Sequence, residues 1–424
     1  LTLAFLVLAQ EPPKKEAEAT PKPAERKPVY TALVGGDVYT VTQGVHRGGT
    51  VLLRDSKIHR VGASIDLPEG TTKVDVSGKR VLPGFVAVSA RGLGLGFGGG
   101  AGKIADAVDP YQEAIKVALA SGITSAHVDA GGSGFFGPSA SPAASNAVLK
   151  MSYGTLDGMV ILEPASVSLA GWVTGGAAER FDIRENFRKA REFLETERDY
   201  ERRRADGKLK PNEAAPKAAP PLDRFVRQLK GEIVTRIPAA NTEQIRKALE
   251  LVGEFRFKAV LTGVVEAWAI PDEVGRARAY CIVTPRTKAH AERSANRPTG
   301  SSIEQAALLR KAGVKFAILP TTPMVGTGGI AGRDLTALPM EAAFAIKGGL
   351  DEQTALESIT ITAAEICGVD ARLGSIEEGK DADLIVLDGD PFDYRTLVDL
   401  TFVNGKLLYD RSKSPYFQHL KSSK

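Results

Sequence analysis

The chain is poor in the two side chains that most often build metal and redox centres, with two cysteines and five histidines in 424 residues. Cys281 and Cys367 are too few for a disulfide scaffold or a thiolate zinc site, so both are expected to pack as small buried hydrophobes. An excess of one charge is also lacking. Lys and Arg number 55 against 51 Asp and Glu, a formal net charge of +4, which gives no basis for a nucleic-acid partner. Long apolar runs are missing too: the most continuous one, Leu1 to Ala9 (LTLAFLVLA), is well short of the ~20 residues that span a bilayer. What remains is a chain with 43% apolar residues, long enough for one large domain and a smaller one.

The opening run reads as the apolar region of a secretory signal, with Val7 and Ala9 offering small or aliphatic side chains for cleavage. Export to the periplasm or cell envelope is the expectation, and an uncleaved anchor is the competing reading. Residues 11–28 hold five prolines and many charges without an apolar period, as a solvated tether does. Residues 1–28 are therefore set apart from the folded part.

From 29 to 81 the sequence reads as short strands broken by glycine turns. Beyond Pro83 and Gly84 strands alternate with helices. FVAVSA, ITSAHVDA, IVTRIPA, KAVLTGV, YCIVT and KFAIL are the expected strands, with helices over 110–120, 241–254, 301–313 and 338–349. Several strands are near-continuous apolar runs, the pattern of a parallel sheet covered on both faces. Such alternation over 82–372 favours a (β/α) barrel or a doubly wound sheet. A charged helical stretch and a Pro/Ala/Lys linker interrupt it over about 179–220, read as a solvated insertion. Short strands return over 373–412, before a tail at 413–424, so both ends are expected to assemble one composite β-sandwich.

SKIHRVG (56–62), VSGKRVLPGF (76–85), GSIEEGKDADLIVLDGDPF and VNGKLLYD resemble the amidohydrolase superfamily, in its imidazolonepropionase-like branch. SGITSA (121–126), AALLRKAGVKFAIL (306–319) and ITAAEICGV (361–369) carry the resemblance inward. It implies a distorted (β/α)8 TIM-like barrel with the composite sandwich beside it. It also implies one or two divalent metals at the barrel mouth, held by imidazoles and carboxylate, that make a bound water nucleophilic.

The positions matching those ligands carry other residues. The His-x-His pair falls on Ser89 and Arg91, the later histidines on Pro238 and near Trp268, and the final Asp on Thr322. A hydroxyl is a poor zinc ligand and a guanidinium does not give up its proton to become one. Of His46, His59, His127, His290 and His419, only His127 and His290 fall within the barrel, too few for a histidine-rich centre. No metal and no other cofactor is expected.

His127 and Asp129 end the second barrel strand two residues apart, on one face and near Ser89, and are the weak catalytic candidates together with Glu266. The plainer readings are a hydrogen-bonded structural histidine and a glutamate paired with a cation such as Arg91. The run RGLGLGFGGGAGK (91–103) contains G-x-G-x-x-G, yet the next helix signal comes only near Asp109, so a loop over the mouth is preferred to a phosphate site. Three functions compete: an exported pseudoenzyme taking a small anionic ligand, a hydrolase with relocated metal-independent chemistry, and a subunit assembling with itself or with an active amidohydrolase.

Overall fold

The computed structural model describes residues 27–95, 103–129, 146–327 and 334–415. The signal-like run at 1–9, most of the tether, the centre of the glycine run, the segment 131–145 and the tail with His419 lie outside the described residues. The expectations placed on them lie outside as well. Among the described residues no helix is long and apolar enough to cross a membrane.

Five strands open the fold: β1 (Tyr30–Tyr39), β2 (Val45–Arg54), β3 (Lys57–Gly62), β4 (Thr72–Asp75) and β5 (Arg80–Pro83). Their β-branched and aromatic residues suit a pleated, half-buried surface. Inside β1 the register with β2 shifts around Gly36, beside Gly35 at φ +86°, where an added Cβ would lie 2.4 Å from Ser77 Oγ. That bulge requires glycine.

The β/α part begins with β6 (Phe85–Arg91), α1 (Glu113–Ala120), β7 (Ile123–Asp129), β8 (Asn146–Lys150), β9 (Val160–Leu162) and β10 (Ser166–Ser168). It continues through α2 (Ala170–Thr174), α3 (Ala177–Ala205), α4 (Leu222–Lys230), β11 (Val234–Pro238), α5 (Thr242–Phe255) and β12 (Ala259–Val264). It closes with α6 (Pro271–Ala277), β13 (Tyr280–Val283), α7 (Gln305–Lys311), β14 (Phe316–Ile318), α8 (Leu338–Lys347), α9 (Glu352–Ser358) and α10 (Ile361–Cys367). The last strands are β15 (Leu384–Leu387), β16 (Val398–Val403) and β17 (Lys406–Asp410).

β10 to β14 form a five-stranded sheet, parallel throughout. β6 and β7 are parallel to each other, but β8 runs antiparallel to β7 and β9 antiparallel to β8. Two seams join these sheets. At one, Asn146 Oδ1 accepts from Ser166 N at 2.7 Å and its carbonyl from Ala165 N at 3.2 Å. At the other, Arg91 N donates to the Pro323 carbonyl at 2.7 Å. The fold is α/β: a distorted barrel frame whose strands fall in two sheets, with helices packed outside. The short strands β8, β9 and β10 depart from the expected alternation, because three to five residues between Gly and Pro carry too little periodicity to register.

β15 pairs antiparallel with β5, Val386 opposite Val81, so both chain ends enter one eight-stranded sheet. Its core gathers Leu33, Val38, Val51, Val81, Leu384 and Phe402. Gly84 links this sheet to β6; a Cβ there would lie 2.1 Å from Thr124 Oγ1, so the absent side chain lets β6 lie close to β7. The charged helix α3 is docked rather than only solvated. Phe187 stacks on Phe257 at 4.9 Å between centroids and meets Phe225 edge-on at 5.0 Å. Both cysteines are buried, and burial pushes the thiols up to about 12 for Cys281 and about 11 for Cys367, far from a reactive thiolate.

Candidate functional site at the barrel mouth

The C-terminal ends of β6 and β7 set the rim. Parallel register places Arg91 directly beside Asp129. Arg91 is exposed and Ser89 half-buried, while Ala87 below them is fully buried. The Asp129 side chain keeps 43% of its surface exposed. Packing around the carboxyl still pushes its pKa up, opposed by the positive charges of Arg236 and Arg91.

His127 lies two residues deeper on the same face of β7 and is fully buried. Its Nε2 is 2.9 Å from Ser166 Oγ, and its Nδ1 is 3.9 Å from Asp129 Oδ2, too far for a hydrogen bond. Nδ1 has no hydrogen-bond partner. Burial first and the Arg236 charge second hold its pKa well below the usual imidazole value, so the ring is neutral at pH 7. Asn146 fixes Ser166 from the other side, donating from Nδ2 to the Ser166 carbonyl at 2.9 Å. His127 and Asp129 therefore do share a face, with the ring held by Ser166.

Arg236 is the residue that sequence reading missed. It lies on β11 two positions before Pro238, and the preceding residue, Thr235, turns outward to receive a 2.9 Å bond from Gln228 Nε2 of α4. Arg236 therefore points into the barrel, where Nη2 donates to the Val88 carbonyl of β6 at 2.7 Å. It is only 9% exposed, its Nε has no partner, and no carboxylate lies within ion-pair distance among the described residues. Burial lowers its pKa from the ordinary guanidinium value, with Cys367 and Asp129 acting the other way. An arginine near the end of an apolar strand carries no signal of burial in one sequence; parallel register reveals it.

The remaining candidates do not converge. Pro238 pairs in register with Thr262, so Thr262 and not Trp268 stands at its height on β12. Trp268 lies four residues past β12 in a short 3₁₀ turn, and its indole Nε1 donates to the Gly300 carbonyl at 2.8 Å. Glu266 is a brace. It accepts from Thr242 N at 3.0 Å, from Gly300 N at 3.1 Å and from Arg297 Nη1 at 2.8 Å. The expected pairing of Glu266 with Arg91 is thus corrected to Arg297, and these partners depress its pKa against the opposing effect of burial. Thr322 is half-buried in the loop after β14, one residue before the Pro323 carbonyl that holds Arg91 N. His290 is exposed.

These donors do not fit a divalent metal. Ser89, Arg91, Pro238, Thr262 and Thr322 supply neither imidazole nor carboxylate, and two guanidinium groups act on the single acid Asp129. Among the described residues no three His, Cys, Asp or Glu come together. The undescribed segments 96–102, 130–145 and 328–333 contain none of those four residue types.

A barrel frame with a sheet built from both chain ends defines the class of protein, and comparison with known proteins narrows it. The Amidohydrolase family profile matches residues 266–408. An amidohydrolase structure from Thermotoga maritima MSB8 superposes with TM-score 0.66 at 25% identity, over 90% of this chain and 100% of the other. The structure of molinate hydrolase superposes with TM-score 0.54 at 17% identity, over 93% and 98%, a likeness of fold. An imidazolonepropionase of Thermoplasma volcanium is 40% identical over 67 residues, 14% of this chain and 17% of that relative's own length. Residues 266–408 thus carry an Amidohydrolase family domain, and the chain as a whole shares the fold of solved amidohydrolases.

Proposed function

We propose that this chain is a non-hydrolytic member of the amidohydrolase superfamily whose barrel mouth binds a small anion in place of a metal-activated water. One observation carries the reading: the rim positions expected to hold a cation present Arg91, and the buried Arg236 adds a second guanidinium beneath it. A fixed positive field in a cleft attracts an anion and opposes a divalent cation. His127 does not replace the metal as a general base, because its ring is engaged with Ser166 and it stands 3.9 Å from Asp129.

Calorimetric titration of the full chain with small carboxylates, alongside a hydrolysis panel of cyclic amides and dipeptides, tests the reading. Binding without turnover, weakened at least threefold by Arg91→Ala, is the expected outcome. Turnover that survives chelator and disappears in His127→Ala would establish relocated hydrolysis and end the proposal.

A further inference from the structure

Beneath the rim is a layer of buried donors without partners. Arg236 Nε and His127 Nδ1 are both in it, and Ser125 Oγ, two residues deeper than His127 on the same strand face, is a third such atom. The Val88 carbonyl that holds Arg236 lies between the register pairs Ala87 with Ala126 and Ala90 with Val128, at the height of His127. Arg236 and His127 each precede a rim residue by two positions, which puts the layer ~7 Å below the mouth at about 3.3 Å per residue.

The shorter of two contacts of the Ser166 hydroxyl favours one placement of the histidine proton. Asn146 Oδ1 already accepts from Ser166 N at 2.7 Å and Ala165 N at 3.1 Å, and lies 3.3 Å from Ser166 Oγ. His127 Nε2 is the nearer acceptor for that hydroxyl, at 2.9 Å. Assigned so, the ring carries its proton on Nδ1, the side facing Asp129. Nδ1–H and the free guanidinium N–H are then two buried donors, costly to leave unpaired.

We propose that Arg236 and His127 form the anchor for the carboxylate head of a small monoanionic ligand, which enters past Arg91 and Asp129 and takes its hydrogen bonds from Arg236 Nε and His127 Nδ1. The inference rests on the reading of the mouth as an anion site and names its depth, residues and ligand class. Shape favours a carboxylate, because a planar guanidinium matches two coplanar oxygens. Charge favours a monoanion. Arg236 and Arg91 oppose one carboxylate, Asp129, leaving a single net positive charge that a monoanion neutralises and a phosphate dianion overshoots.

The test uses the intact chain labelled with ¹⁵N at arginine and histidine, titrated at pH 8, where inorganic phosphate is mainly the dianion, with acetate and, separately, with inorganic phosphate. Acetate is expected to shift the Arg236 Nε and His127 Nδ1 resonances together, with phosphate binding at least tenfold more weakly. Arg236→Lys, which keeps the charge and removes the planar fork, is expected to weaken acetate at least tenfold. If Arg91→Ala abolishes binding while Arg236→Lys binds like the unaltered chain, the anchor is at the rim; the deeper site is then wrong and the anion-binding mouth stands. If neither anion moves any resonance of the unaltered chain, both readings fail. Should Arg236→Lys not fold, the resonances of the unaltered chain decide alone.

Discussion

His127 shows how position rather than residue type sets chemistry. Its folded pKa is held below the unfolded value of about 6.5, so acid favours the unfolded chain, which takes the proton first. The stabilising contribution is complete above about pH 6.5 and is lost as pH falls beneath it. Denaturant titrations from pH 7.5 to 5 are expected to show this decline, and His127→Asn to flatten it. Glu266 gives a second prediction: Glu266→Ala leaves Thr242 N and Gly300 N without their acceptor and is expected to cost ~1–3 kcal/mol in urea unfolding, with the anion site unaffected. The shared face of His127 and Asp129 was legible from their spacing. Arg236 was not, since only the register of β11 and the outward turn of Thr235 show that it points inward.

At the level of elements, glycines and aromatics position the site more than propensity does. Gly84 lets the sheet hand over to β6, and Gly84→Ala must displace Thr124, with an expected loss of about 1–3 kcal/mol by overpacking. Helix α3 shows the limit of reading charge as solvation. Most of its residues are charged, yet Phe187 sits fully buried among Phe225, Phe255 and Phe257. Phe187→Ala is expected to cost ~3–5 kcal/mol, measurable as a lower thermal midpoint. The helices α5 and α8 were legible within a few residues because their apolar faces are periodic and Asn241 caps α5 through a 3.0 Å bond from Gln244 N. The antiparallel β8 was not, because strand direction is decided by neighbours and not by its own five residues.

Across the whole molecule, buried charge ties the barrel to the terminal sheet. Lys150 at the end of β8 is fully buried, 2.6 Å from Asp381 Oδ2 and 3.0 Å from Asp383 Oδ1. Asp381 also meets Lys57 at 2.5 Å and Arg372 at 2.8 Å. Against the effect of burial, these cations lower the Asp381 pKa from 3.8 to about 2, so its contribution is present above about pH 4 and lost as pH falls toward 2. Lys150→Met would leave the buried Asp383 without its cation, while Asp381 keeps Lys57 and Arg372, and is expected to destabilise by ~3–5 kcal/mol. The terminal motifs made the composition of the sheet legible; Lys150, far from them in sequence, gave no sign of its place between them.

The central claim is that the mouth of this barrel is built for an anion and not for a metal. Elemental analysis of the purified full chain, after incubation with excess zinc and removal of free ion, tests it most directly. The account predicts no zinc retained in stoichiometric amount. Retention of one equivalent or more per chain, abolished by Asp129→Asn, would contradict it.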